Sequence, residues 1–241
     1  VTDIQIINAE LALSDLDILE KNYQKLKKVQ KTDDDKRKVQ IIERAIDLIS
    51  NEKKLLGNLG NDEIEYLNTY QLISIKPVVY ICNVDESSAL SGNEFTKKIE
   101  DYAKDNKSEV LLISAKIESE ISQIADEKDK QDFLESMGLS ETGLKRVIRK
   151  GYEILNYINY FTAGEKELRA WTIIKGTMAP SAAGTIHSDM EKGFIRAETI
   201  SFDDYVANNG ESGAKEKGKL RLEGKEYEVK DGDVMHFLFN V

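Results

Sequence analysis

Two short apolar runs, Val78 to Cys82 behind Pro77 and Val110 to Ile113, flank a stretch of helical pattern, Glu94 to Lys104. Consecutive apolar residues, without alternation, are what a parallel strand covered on both faces requires, and strand, helix, strand is a parallel crossover unit. Pro77 is compatible with the first position of a strand. The order predicts strands at Pro77 to Cys82 and Glu109 to Ile113 with the helix between them. Ligands of open parallel sheets bind beyond the carboxyl ends of the strands. Asn83-Val84-Asp85-Glu86 and Ser114-Ala115-Lys116 stand at those ends and are the candidate site. No G-x-x-x-x-G-K-[ST] segment occurs in the 241 residues, so a phosphate cradle of that type is not encoded in them.

Composition narrows the setting. A chain of 241 residues that is 40% hydrophobic can build one large core or two small ones. A net charge of -10 and a pI near 4.9 disfavour non-specific nucleic-acid binding, because counterion release needs clustered Lys and Arg. DNA is not an expected partner, and any RNA contact has to be local. Cys82 is the only cysteine; it cannot form an internal disulfide, and its place among Val and Ile predicts a small buried side chain. No apolar stretch approaches the ~20 residues of a membrane span, and the first residues lack the pattern of a signal peptide. The expectation is a cytoplasmic protein with no membrane partner.

Along the chain, Asp3 to Asn8 alternates like a short strand or strand end. From Ser14, a plausible N-cap, Leu16, Leu19, Tyr23, Leu26 and Val29 recur at helical spacing. Thr32-Asp33-Asp34-Asp35 interrupts the pattern and caps a second helix with Val39, Ile42, Ile46 and Ile49 on one face. Two such helices across a short polar turn make an antiparallel hairpin. Ile64 to Leu72 predicts a third helix, and Ser140 to Tyr157 a helix packed on the parallel sheet.

The remainder changes pattern. Arg169 to Ile174 reads as a strand, Pro180 begins a helix carrying Ala183, Ile186 and Met190 on one face, and Gly193 ends it. Phe194 to Ile200, Lys219 to Leu222, Tyr227 to Val229 and Val234 to Phe239 read as strands, with turns at Glu223-Gly224 and Asp231-Gly232. A small mixed sheet wrapped on one helix, the β-grasp (ubiquitin-like) arrangement, accounts for this order.

Three segments carry a resemblance. Phe161-Thr162-Ala163-Gly164-Glu165-Lys166-Glu167-Leu168-Arg169-Ala170-Trp171-Thr172, the run from Ile186 to Glu198, and Asp231-Gly232-Asp233-Val234-Met235-His236-Phe237 resemble the TGS domain of the Obg-like ATPase (YchF) family. Asn8 to Asp17 resembles the start of that family's inserted coiled-coil domain, and Asn83-Val84-Asp85-Glu86 its variant base-specificity motif. The resemblance extends over the whole chain. It implies an α/β plus α+β architecture: a partial P-loop NTPase parallel sheet with an inserted antiparallel helical hairpin, then a β-grasp TGS domain. The implied domains are 1–13, a remnant of the nucleotide-binding domain; 14–76, the inserted helices; 77–157, the C-terminal half of the nucleotide-binding domain; and 158–241, the TGS domain. The implied activity is ATP binding and hydrolysis in association with the ribosome, with ATP, or alternatively GTP, as ligand and Mg²⁺ as cofactor. Catalytic residues and Mg²⁺ ligands of the family have no counterpart here, so this chain is expected to be inactive alone.

The chemistry of the motif can be read directly. In the N-K-x-D loop of GTPases an Asp carboxylate accepts from guanine N1-H and the 2-amino group, donors that adenine lacks. Here Glu86 takes the Asp position and Val84 the Lys position, which displaces the guanine contact and favours relaxed or adenine-preferring selectivity. Asn83 can donate to a purine N7 and tie its loop to the next, the amides of Ala115 and Lys116 can approach the base edge, and the Lys116 stem can cover it. Ser114, Ala115, Lys116, Asn83, Val84 and Glu86 are thus the candidate nucleotide contacts; ordinary polar loops after buried strands are the plainer alternative.

Other residues read more plainly. His187 and His236 lack further ligands at metal spacing, no G-x-S-x-G is present, and Asp33 to Asp35 lack EF-hand spacing, so no metal or hydrolytic site is assigned. Lys215, Lys217, Lys219 and Arg221 form a basic stripe, by default a solvated face and otherwise a local RNA contact. The alternative function is a non-catalytic ribosome, RNA or protein interaction module. A parallel sheet lacking further strands is also expected to expose an apolar edge and one uncovered face.

Overall fold

The computed structural model describes residues 1–29, 31–106, 108–164 and 167–240; Glu165 and Lys166, in the first TGS-like segment, lie outside the described residues. The chain divides into two compact units, Val1–Gly143 and Leu144–Val241.

The first unit opens with α1, Thr2–Val29, and α2, Asp33–Ser50, which pack against each other. Thr32 caps α2 with a capping box: its hydroxyl accepts from the Asp35 amide at 3.1 Å, and the Asp35 carboxylate accepts from the Thr32 amide at 3.0 Å. Val39, Ile42 and Ile49 are buried as their spacing requires, and Leu19 of α1 joins Ile42 and Ala45 in a core completed by Leu55, Leu67 and Leu72. α3 spans Asn61–Asn68, ending four residues before Leu72, where Gln71 takes positive φ.

The expected strand at Asp3 to Asn8 is instead the start of α1, and Ser14 is an exposed mid-helix residue rather than a cap. No described strand lies beside this segment to complete a ladder, so its amides bond within its own backbone, Gln5 to the Val1 carbonyl at 3.0 Å. Ala9-Glu10-Leu11-Ala12-Leu13 are strong helix formers and extend the helix backwards.

β1, Val79–Asn83, and β2, Glu109–Ile113, form a two-stranded parallel sheet in the register Val79↔Glu109 to Asn83↔Ile113, and α4, Glu94–Asp105, is the crossover helix. α4 has a full capping box from Asn93 and Thr96, and Tyr102 packs edge-on against Tyr80. The sheet is not covered on both faces: Ile81 is 53% exposed and Cys82 only half-buried. The apolar run records a need for covering that two strands and one helix do not meet. α5, Ala115–Gln123, and α6, Glu127–Ser136, follow; their Ile117, Ile121 and Leu134 form a second small core with Ala89 and Leu139.

The second unit begins at Leu144, one residue into α7, Gly143–Ile154, which stops short of the expected end at Tyr157 because Asn156 takes positive φ and Tyr157 starts a strand. β3, Tyr157–Ala163, and β4, Leu168–Ile174, are antiparallel neighbours. α8, Ala179–Ile186, carries Pro180 in its first turn and stops at His187, which caps the short α9, Ser188–Lys192; the expected single helix is therefore two. β5, Phe194–Ser201, α10, Phe202–Ala207, α11, Glu211–Glu216, β6, Arg221–Glu223, and β7, Asp233–Phe239, complete the unit.

The five strands lie in the order β4-β3-β7-β5-β6, with β3 and β7 parallel and the other pairs antiparallel. Tyr160, Ile173, Phe194, Ala197, Met235 and Phe237 cluster with Ala179, Ala182 and Ala183 of α8, whose small side chains admit the buried aromatics of the sheet. The expected strand Tyr227 to Val229 does not join the sheet. Ala179 donates to the Tyr227 carbonyl at 2.8 Å and Val229 to the Thr177 carbonyl at 3.0 Å, so this segment braces the start of α8.

Candidate functional site

The six candidate residues fall on two adjacent loops at the carboxyl ends of β1 and β2. The ladder continues one step past the strands, since the Val84 amide donates to the Ile113 carbonyl at 2.8 Å. Asn83 closes the same end with its side chain: Oδ1 accepts from the Ala115 amide, in the first turn of α5, at 3.0 Å. That bond leaves the Asn83 side-chain NH₂, with two N-H groups, for a ligand.

Asp85 turns inward on its own loop. It caps a single turn of 3₁₀ helix, Glu86–Ser88, accepting from the Ser88 amide at 2.8 Å and the Ser87 hydroxyl at 2.7 Å. The Ser87 hydroxyl first, with the Ser88 side chain and amide, holds its carboxyl below the usual range. This role was open to sequence reasoning: an Asp two and three residues before serines is an Asx-turn and cap signal. Glu86 reaches the facing loop, with its Oε1 2.8 Å from Lys116 Nζ. Glu86 raises the Lys116 ammonium above its ordinary range. Ser114 is buried, and its hydroxyl has no hydrogen-bond partner among the described residues.

The structure thus brings Asn83, Val84, Glu86, Ser114, Ala115 and Lys116 together as one tied pair of loops. It offers an amide donor group on Asn83 and an ion pair, Glu86 with Lys116, in place of a free carboxylate.

The other candidates have local roles. His187 Nδ1 accepts from the Asp189 amide at 3.2 Å, and His236 of β7 lies opposite Glu198 of β5. Among the described residues no group of three or more His, Cys, Asp or Glu is placed to hold a metal. In the basic stripe, Lys219 pairs with Asp204 at 3.2 Å, and Arg221 pairs with Glu223 at 3.1 Å and Asp233 at 3.2 Å. Two of its four charges are therefore engaged by acids of the same unit. No helix of the described residues is long and apolar enough to cross a membrane.

Comparison with known proteins bears on the whole chain. The family model YchF-GTPase_C, described as "Protein of unknown function (DUF933)", matches residues 157–240. The chain is 47% identical over 242 residues to the "Ribosome-binding ATPase YchF" of Haemophilus ducreyi, an alignment covering 99% of the chain and 66% of that relative. It is 45% identical over 246 residues to the protein of the same name from Bacillus subtilis, covering 100% of the chain and 67% of the relative. Among solved structures it resembles the Schizosaccharomyces pombe YchF GTPase, with a TM-score of 0.84 and 31% identity over 98% of this chain and 65% of that one. A GTP binding protein from Pyrococcus horikoshii shares the fold, with a TM-score of 0.61 at 18% identity over 100% of this chain and 72% of that one. The chain spans 66% of the length of the first of these relatives, and at this identity and coverage it belongs to the YchF family.

Proposed function

We propose that this chain carries the base-reading half of an adenine-nucleotide site in a ribosome-associated YchF ATPase. The observation that carries the reading is the tie between Asn83 and Ala115 at the ends of two paired parallel strands. It fixes two loops at the place where an open parallel sheet binds ligands. The relatives' names, ribosome-binding ATPase and GTPase, supply the class of activity and partner.

Base preference follows from which groups are committed. Guanine selection needs a carboxylate free to accept from two donors of the base. The Glu86 carboxylate is engaged by Lys116 at 2.8 Å, so that contact is weakened. The Asn83 NH₂ can donate to N7, which adenine and guanine share. ATP is therefore the favoured nucleotide and GTP the tolerated one. The described residues suit a base and not the triphosphate or Mg²⁺: the sequence holds no G-x-x-x-x-G-K-[ST], and no described acidic cluster suits a cation. Phosphoryl transfer calls for a phosphate cradle and a Mg²⁺ site in addition to these loops.

In this reading residues 1–13, the first turns of α1, and 77–157 belong to a nucleotide-binding domain, the rest of α1 with α2 and α3 forms an inserted antiparallel helical domain over 14–76, and 158–241 is a TGS domain of β-grasp type. The strand order β4-β3-β7-β5-β6 around α8 supports the last assignment. A local RNA contact through the second unit has weaker support, since Lys219 and Arg221 are paired with acids.

The test is equilibrium binding of fluorescent ATP and GTP analogues to this chain and to a form extended upstream with a phosphate loop. The extended form is expected to bind, adenine first, and this chain to bind at least about tenfold more weakly. Binding by neither form would overturn the base-site reading. It would leave the second reading, a non-catalytic interaction module.

A further inference from the structure

Charge is spread unevenly along the first unit. Residues 21–38, the end of α1, the turn and the start of α2, hold eight Lys and Arg against three Asp, a net charge of +5, while the rest of the chain carries -15. At physiological ionic strength, charges more than ~8 Å apart are largely screened. The potential around this turn is therefore set by its own cations and not by the acidic remainder.

The acids at the turn are spent on α2 and on its cap. Lys36 pairs with Asp33 at 2.8 Å, Lys38 with Asp34 at 2.6 Å, and Arg37 with Asp62. Asp35 accepts from the amides of Lys31 and Thr32, each at 3.0 Å. Lys27 leans on Tyr23, its ammonium 3.0 Å from the hydroxyl and 5.0 Å from the ring centroid. Lys21, Lys25, Lys28 and Lys31 are exposed, and among the described residues none of the four has an acidic partner. Asp17 and Glu20, the acids that precede them on α1, form no ion pair with Lys21. At 100° per residue, Lys21, Lys25 and Lys28 fall within about 60° of one another, diametrically opposite Leu19, Tyr23 and Leu26, which pack on the core. Three free ammonium groups thus line about 10 Å of helix, with Lys31 beyond its end.

We propose that Lys21, Lys25, Lys28 and Lys31 form a docking surface for the phosphate backbone of RNA. Cations that no carboxylate neutralises keep their full gain from displacing the counterions of a polyanion. A protein partner calls for a different surface, since interface cores are enriched in aromatic residues, Met and Arg and depleted in Lys. Here the free cations are all Lys, and among the described residues from 14 to 55 Val29 is the one large apolar side chain that is exposed. A Lys ammonium is a point charge on a flexible stem, suited to phosphates of any local geometry, and such contacts position a nucleic acid without reading its sequence. RNA is preferred to DNA because the relatives are named for the ribosome, a choice that rests on the ribosome association proposed above. The basic stripe of the second unit is the poorer site for the same ligand, because its Lys219 and Arg221 are already paired with acids.

The experiment is fluorescence anisotropy of a short labelled RNA hairpin of arbitrary sequence, titrated with the whole chain over a series of salt concentrations. Expected is binding that weakens as salt rises. Lys→Gln at positions 21, 25, 28 and 31 together keeps helix propensity nearly unchanged; it should weaken binding at low salt at least about tenfold and lower the slope of log K against log salt by about three. Lys215→Gln with Lys217→Gln should change neither quantity. Should circular dichroism show the fourfold variant less helical, Lys25→Gln with Lys28→Gln gives the same reading with a slope lower by about two. Absence of RNA binding at low salt overturns the proposal, as does a salt slope that these substitutions leave unchanged or that the Lys215 and Lys217 pair lowers as much. Displacement of the RNA by polyglutamate at equal charge concentration also overturns it, since an acidic protein surface would then serve as well. Pelleting with ribosomes, measured in parallel, separates the two readings: a chain that binds the hairpin through these lysines but does not pellet loses the ribosome association and keeps this surface.

Discussion

Asn83 uses its side-chain carbonyl as a strut between two loops and so keeps its NH₂ aimed by a fixed backbone. Replacing it with alanine removes the strut and the donor together while leaving the Val84 to Ile113 bond in place. Asn83→Ala in the extended form should therefore weaken adenine-nucleotide binding at least about tenfold with an unchanged circular dichroism spectrum. Equal binding would show that the loops do not read the base. Asp35 is a second residue whose chemistry is set by its position. The amides of Lys31 and Thr32 hold its carboxyl at about 2, below the ordinary 3.8. A depressed folded-state pKa means that the cap contributes fully above the ordinary value and is lost as pH falls through about 2. Carboxyl NMR should show Asp35 titrating with a midpoint near 2 and the first turn of α2 fraying in the same range; a midpoint near the ordinary value would count against the capping box.

At the scale of elements, α1 is held in the first unit by one buried polar side chain as well as by Leu19. Asp15 is fully buried, and its carboxylate accepts from the Ile73 amide at 2.8 Å and the Ser74 amide at 2.7 Å. Asp15→Ala leaves both amides without these partners and should cost about 2 kcal/mol, read as a lower urea midpoint for the first unit. Sequence pattern made α2, α4, β1 and β2 legible because each carries its own boundary: the Thr32 and Asn93 caps, and polar residues closing each apolar run. It failed where neighbours decide. The alternation of Asp3 to Asn8 suits a strand, but no described strand flanks it, and α1 absorbs it. Tyr227 to Val229 has strand-forming residues yet spends its amide and carbonyl on the start of α8. The short polar helices α6, α10 and α11 have too few apolar positions to establish a period. In the site, the positions were legible from strand ends alone. The Glu86 to Lys116 ion pair was not, because it joins residues thirty apart through a register that no local pattern encodes.

At the scale of the whole molecule, the two units have separate cores and separate prospects. The second unit holds Tyr160 fully buried, its hydroxyl donating to the Ala182 carbonyl at 2.9 Å, with Phe237 edge-on to the ring at a centroid separation of 5.7 Å. Burial pushes the Tyr160 phenol up to about 12. A fragment of residues 144–241 should therefore unfold as one cooperative transition in urea, with near-UV circular dichroism and far-UV signals coincident. Non-coincident transitions would show that the unit depends on the rest of the chain. The strand order also fixes when this unit can form. β7, the last of the five strands to be made, lies at the centre of the sheet between β3 and β5. A growing chain thus holds two unjoined pieces, β3 with β4 and β5 with β6, until Asp233 to Phe239 has left the exit tunnel. Translation that stops short of Asp233 yields no smaller version of this unit, only exposed strands for proteases to remove.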